Sequence, residues 1–208
     1  YAVDRDRVFI VGRSMGGMIA ATTAAKYPDR FAALAEQSGP TDLASWYEHL
    51  CSLPKYAFHC DRLAQELNGS PYTVPFDYQR RSAASMPMNL RYLPTLIIHG
   101  RDDQEVPFDH GQNLYRGLVE YGAQDVTFAP YDGGHGDSHP DWAPEEILAF
   151  FGDRQSVARP LTLTMRTDEP KTYYWLGIDY DYTDHWTLVD ASFDPQTQMV
   201  AIQARDDP

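Results

Sequence analysis

Apolar residues along the first three quarters of the chain fall into short blocks separated by polar turns. Val8-Phe9-Ile10-Val11 is an apolar run with β-branched members, which predicts a short buried strand. Residues 18–26, rich in Ala, follow as a helix that ends at Tyr27-Pro28-Asp29, where proline stops it. Residues 31–35 form a second apolar run, and Gln37-Ser38-Gly39-Pro40 ends it. One strand–helix–strand unit is therefore complete by residue 40, and such a unit implies parallel strands with a right-handed crossover. Pro94-Thr-Leu-Ile-Ile98 is the clearest strand, apolar enough to be covered on both faces. Residues 109–121 space Leu114, Leu118 and Tyr121 along one helical face, with Gly122 as the stop. Residues 126–131 predict a further strand, and residues 144–151 a helix opened by proline.

Two stretches depart from this rhythm. Residues 41–92 are irregular and aromatic, with helical pieces expected at 42–50, 60–68 and 76–83 around the break at Asn68-Gly69-Ser70-Pro71. Such an excursion can cover a pocket, although most of its aromatics should pack onto the core. From residue 154 the pattern becomes alternating, with strands expected at 161–165, 173–178, 186–193 and 199–203. That predicts a small antiparallel β appendage. Alternate members of Tyr173, Tyr174, Trp175 and Trp186 are expected to fill its core, in preference to the four forming a surface patch for carbohydrate or polymer. The organisation expected is α/β over residues 1–154, with 41–92 as the excursion, then the appendage over 155–208.

Composition narrows the function more by exclusion. The 208 residues carry a formal net charge of −13, which argues against a nucleic-acid partner and against docking on anionic membranes. No apolar run approaches the length of a membrane span. Cys51 and Cys60 could form one local bridge, but they read better as two buried thiols; their spacing does not suit zinc. The chain opens at Tyr1 with neither an initiator Met nor a basic-apolar leader, which reads as a processed product or a fragment.

The chemistry concentrates at strand ends. Gly12-Arg13-Ser14-Met15-Gly16 sits between the first strand and the first helix, the context of a nucleophile elbow. A serine hydroxyl needs a base, and the base an orienting acid. Asp103 lies beyond the strand ending at Ile98, and His135 beyond the strand ending at Tyr131. In an open α/β sheet all three would gather at the carboxyl ends of the strands. The rivals are His99, His110 and His139 for the base, and Asp102 for the acid. His135 is preferred because Gly133, Gly134 and Gly136 leave its loop free to approach Ser14, and His99 is expected to orient the acid loop. A metal reading of His135 to His139 lacks a second ligand cluster. Residues 179–184 have the acidic spacing of a calcium loop without its Gly and terminal Glu, and read as a charged turn. No cofactor is called for.

Gly12-Arg-Ser-Met-Gly-Gly17, His99-Gly-x-x-Asp103-x-x-Val-Pro107 and Gly133-Gly-His135-Gly together resemble the α/β-hydrolase superfamily. They are most similar to the catalytic domain of prolyl oligopeptidase-type serine hydrolases, as are Asp4-Arg-Asp-Arg-Val8 and Tyr27-Pro-Asp-Arg-Phe31. The resemblance covers about residues 1 to 152. It implies Ser14 as nucleophile, Asp103 as acid, His135 as base and the Met15 backbone N–H as one oxyanion donor. It implies an acyl-enzyme hydrolase of peptide or ester bonds, with a carboxylesterase of small or polymeric esters and a non-catalytic binding role as alternatives. It also tilts localisation towards a secreted or periplasmic setting. The fold it implies has about four strands before the nucleophile strand, so this chain is expected to be the C-terminal half of such a sheet. The second oxyanion donor should then come from the other half, and the chain alone should be weakly active or prone to aggregate.

Overall fold

The computed structural model describes residues 2–137, 139, 142–157, 159–179 and 185–207. Four parallel strands, β1 (Phe9–Arg13), β2 (Ala33–Gln37), β3 (Thr95–Gly100) and β4 (Val126–Tyr131), lie side by side in sequence order. Every crossover therefore advances one place, through α1 (Met15–Lys26), through the 41–92 excursion, and through α5 (Asp109–Glu120). The apolar strands are explained by alternation across two covered faces. Leu34 and Ile97 enter a core with Ala20, Ala24, Leu114 and Leu118. Ala33, Ala35, Leu96 and Ile98 enter the opposite one with Phe150 and Phe151 of α6 (Pro144–Phe151).

The first strand is not buried as its composition suggests. β1 pairs with β2 alone among the described residues, and Val11 is 57% exposed at this sheet edge. Strand hydrophobicity reports what a position can tolerate, and an edge strand has the same composition before its neighbour is in place.

The excursion contains α2 (Leu43–Ser52), α3 (Ala57–Glu66) and α4 (Pro75–Gln79), with one-turn 3-10 segments between and after them. Asp42 caps α2 by accepting from the Ala44 and Ser45 N–H groups at 3.0 and 3.1 Å. Cys51 and Cys60 are joined in a disulfide, contrary to the expectation of two thiols. The reversal between α2 and α3 brings their Cα atoms to 5.2 Å, within bridging range, and a nine-residue spacing alone does not reveal that reversal.

The C-terminal residues form a three-stranded antiparallel sheet in the order β5 (Thr162–Thr167), β8 (Trp186–Asp194), β9 (Met199–Asp207). Beside it lies a hairpin, β6 (Lys171–Tyr173) and β7 (Leu176–Ile178). Residues 173–178 are thus not one strand: Tyr174 takes φ 54° and turns the chain. Trp186 does not serve the appendage's own core either. It is fully buried in the α/β core with α1 and α5, edge-on to Phe76 at 5.4 Å. Asn89 and Asp168 stitch the same seam. Asn89 Nδ2 donates to the Ala25 and Arg166 carbonyls, and Lys26 and Arg80 close on the buried Asp168 carboxylate at 2.7 and 2.8 Å. Of the acidic turn at 179–184, residues 180–184 lie outside the described residues.

Candidate active site

All four strands of the parallel sheet point the same way, so the loops that follow them share one edge. Ser14 stands between β1 and α1 with φ 55° and ψ −124°, a backbone region that a non-glycine residue occupies at a cost of about 1–3 kcal/mol. Its N–H is held by the Gln37 carbonyl at 2.8 Å. The turn needs bare neighbours at particular places. A Cβ on Gly12 would lie 2.0 Å from the Gly16 carbonyl oxygen, and one on Gly17 would lie 2.9 Å from the Glu36 carboxylate.

The sharp turn brings Ser14 Oγ to 2.8 Å from His135 Nε2, and His135 Nδ1 lies 2.8 Å from Asp103 Oδ2. A carboxylate can only accept, so Nδ1 carries the proton and Nε2 is left free to accept from the serine hydroxyl. Asp103 is buried and its other oxygen accepts from the Glu105 and Val106 N–H groups, both at 2.9 Å. It therefore has little freedom to rotate away from the imidazole.

The histidine loop, 132–137, has no regular structure and is pinned from outside. The Arg13 guanidinium donates to the His135 carbonyl at 2.7 Å and to the Asp137 carbonyl at 3.0 Å. The Tyr131 hydroxyl donates to Asp137 O at 3.0 Å, and Asp137 Oδ2 accepts from the Gly134 N–H at 2.7 Å. The acid loop is pinned by His99, whose Nε2–H donates to Val106 O at 2.9 Å and sits 3.6 Å from Asp103 Oδ2. Burial holds His99 below the ordinary imidazole range, so it serves there as a neutral donor.

Ser14, Asp103 and His135 are thus brought into one hydrogen-bonded chain. The rivals are not. Asp102 turns its backbone N–H to Gly133 O, His110 is buried where β2 leads into α2, and the His139 ring stands edge-on to Tyr131. Burial first, then the neighbouring His99 and His49, push His110 down to about 4. Met15 opens α1, where the first N–H groups have no intrahelical acceptor. Among the described residues no group of three or more His, Cys, Asp or Glu is placed to hold a metal ion.

Three residues that the motifs did not flag matter to this geometry. Arg13 is an unremarked position inside the elbow. Glu105 Oε2 lies 3.9 Å from His135 Nε2 at the mouth of the site. Glu36, completely buried on β2, accepts a very short hydrogen bond from the Gly39 N–H, and its second oxygen has no partner. Burial pushes its carboxyl up to about 8, against the lowering effect of that N–H. None of the three carried a clear signal in the sequence: Glu36 directly follows the apolar run 31–35, where a charged residue reads as the end of a strand.

A cleft of about 250 Å³ opens beside Ser14 and His135. Its walls are Trp46 and Leu50 of α2, Tyr56, Leu63 of α3, and Val106, with Arg62, Glu66 and Glu105 at its polar margin.

Residues 1–152 match the prolyl oligopeptidase family (Peptidase_S9). The chain belongs to that family. It is also 31% identical over 118 residues to the uncharacterized peptidase YtmA of Bacillus subtilis, covering 57% of this chain and 43% of that protein. Acylaminoacyl peptidase of Pyrococcus horikoshii shares its fold over 64% of this chain and 21% of its own, with a TM-score of 0.54 and 24% identity. A puromycin-hydrolyzing peptidase of Mycobacterium tuberculosis matches 64% of this chain and 19% of its own, with a TM-score of 0.56 and 23% identity. The chain thus spans less than half of the relative and about a fifth of these two structures. The prolyl oligopeptidase family consists of α/β-hydrolase-fold serine peptidases, and the parallel sheet flanked by helices is the fold expected from the motifs.

Proposed function

We propose that this chain carries the nucleophile, base and acid of a serine peptidase-type hydrolase that works through an acyl-enzyme. The observation that carries the reading is the 2.8 Å contact from Ser14 Oγ to His135 Nε2, backed by the 2.8 Å contact from His135 Nδ1 to Asp103. His135 takes the hydroxyl proton as Ser14 attacks the acyl carbon, and the imidazolium formed is steadied by Asp103. The oxyanion is met by the Met15 N–H at the start of α1, where the helix dipole also favours negative charge. His135 then protonates the leaving amine or alcohol, and a water activated by the same nitrogen frees the acid and restores Ser14. The apolar cleft beside Ser14 receives the acyl part of the substrate.

Family membership favours a peptide bond, and an ester serves as the comparison. Residues 155–208, whose sheet is separate from the parallel one, act in this proposal as a brace for residues 1–154. The free edge of β1 supports pairing with a further strand, and the second oxyanion donor is assigned to that side of the sheet.

Labelling with a fluorophosphonate tests the reading. Ser14 should be the residue modified, and a Ser14→Ala variant should lose labelling while folding normally. Asp103→Asn, which reverses the hydrogen bond that orients the imidazole, should lower kcat by roughly 10⁴. No adduct on Ser14 in the full-length protein would refute the proposal. Turnover of a p-nitrophenyl ester against a p-nitroanilide peptide separates esterase from peptidase.

A further inference from the structure

Part of the cleft wall is built by α2 and α3, and of the two α3 has the less to hold it. α3 buries only Cys60 among its ten residues, and no side chain caps its start. At its end Leu63 and the capping residue Leu67 pack on Leu43 and Tyr78, whereas its start is bare, with Phe58 69% exposed. Apolar burial therefore fixes the end of α3, and before Cys60 it has no buried residue to fix its first turn. α2, by contrast, is tied to the loop that carries Asp103. Trp46 Nε1 donates to Glu105 O and His49 Nε2 to Gln104 O, both at 2.9 Å. The covalent link between the two helices is the Cys51–Cys60 bridge.

We propose that the Cys51–Cys60 disulfide is a specificity device: it holds α3 as the wall of the cleft, so that the site accepts a large apolar acyl group. Neither cysteine lines the cleft, so both are positioning residues. Opening the bridge frees the first turn of α3 and with it Tyr56 and His59 in the cleft wall, while α2 stays on the acid loop. The hydrogen-bonded chain from Ser14 to Asp103 is carried by β1, α1 and the loops after β3 and β4, and it contains no group from α3. Loss of the clamp therefore weakens binding of a bulky acyl group and leaves attack on a small one largely intact. The proposal rests on the cleft being the acyl site.

The test compares p-nitrophenyl 4-phenylbutyrate with p-nitrophenyl acetate on the full-length protein. The bridge is opened either by tris(2-carboxyethyl)phosphine or in the Cys51→Ser, Cys60→Ser double variant. The phosphine supplies two electrons, takes the oxygen of a water molecule, and leaves two thiols; reoxidation should restore the starting state. With the bridge open, kcat/KM for the phenylbutyrate ester should fall roughly 10- to 100-fold, mostly through KM, since an apolar pocket discriminates by about that much per group. The acetate ester should change less than about threefold over the same treatment. Equal losses on both esters, or no loss on either, overturn the proposal. Calorimetric binding of 4-phenylbutyrate separates this from the hydrolase reading. A Kd weakened about tenfold on reduction supports the clamp even if neither ester turns over, and an unchanged Kd overturns it whatever the turnover.

Discussion

A carboxyl group sealed under the elbow makes stability depend on pH in a direction opposite to that of most acids. Glu36 is fully buried, its one acceptor contact is to the Gly39 N–H, and no cation among the described residues offsets its charge. Its proton is lost near 4.5 in the unfolded chain and near 8 in the folded one. Between those values the folded state binds the extra proton, so stability falls as pH rises, by about 1.4 kcal/mol per unit. The contribution is complete below pH 4.5, has fallen by roughly 3 kcal/mol at pH 7, and levels off above pH 8. Glu36→Gln keeps the shape and the acceptor for Gly39 while removing the ionisation. The variant and the parent should therefore be equally stable near pH 4.5, and the variant should gain with each step towards pH 8. At roughly 2–4 °C per kcal/mol for a chain of this size, the gap in Tm at pH 7 should be about 10 °C. Thermal denaturation from pH 5 to pH 9 reads this directly. Parallel Tm curves for the two proteins would refute the assignment of a neutral Glu36 in the folded state.

Two glycines of the elbow should behave oppositely: Gly17→Ala meets Glu36 Oε1 at 2.9 Å and Gln37 O at 3.0 Å and should cost about 1–3 kcal/mol in urea unfolding, whereas Gly16→Ala meets nothing within 4 Å and should cost nothing. Arg13→Ala removes both ties to the histidine loop, and kcat should fall about 10²-fold with KM nearly constant, as for a misplacement of about 1 Å. Asp168 is desolvated by burial, yet Lys26 and Arg80 outweigh this and hold its carboxyl below the ordinary range. Its contribution is present above pH 3.8 and is lost as pH falls through that lowered value. Asp168→Asn should thus lower stability by about 3 kcal/mol at neutral pH and flatten the acid limb of the denaturation curve.

The strand–helix–strand frame was legible because its signals are local. β4 and α6 fall on the predicted residues, and the other parallel strands are displaced by one or two. The placement of Ser14, Asp103 and His135 was legible for a related reason, since each follows its own strand and parallel strands share one carboxyl edge. Burial was less so, because the side chain of Val11 says nothing about whether a neighbouring strand is present. The disulfide depended on a reversal between two helices, and Arg13 on a loop more than 120 residues away. Trp186 was misplaced because alternation predicts which face a side chain takes, and not which core lies beneath that face. The hairpin at Tyr174 required a positive φ from a residue that rarely adopts one.

Trp186 has a consequence for how the chain is made. The core between α1 and α5 draws its other members from residues up to 128, so it is complete only when synthesis has passed residue 186. Until then the place that Trp186 takes beside Phe76 is open, and nascent chains of intermediate length present an apolar recess to whatever binds such surfaces. A truncation after residue 152, where the family match ends, would make that state permanent. Such a product would be expected to fill inclusion bodies, and residues 155–208 belong in any expressed form of this protein.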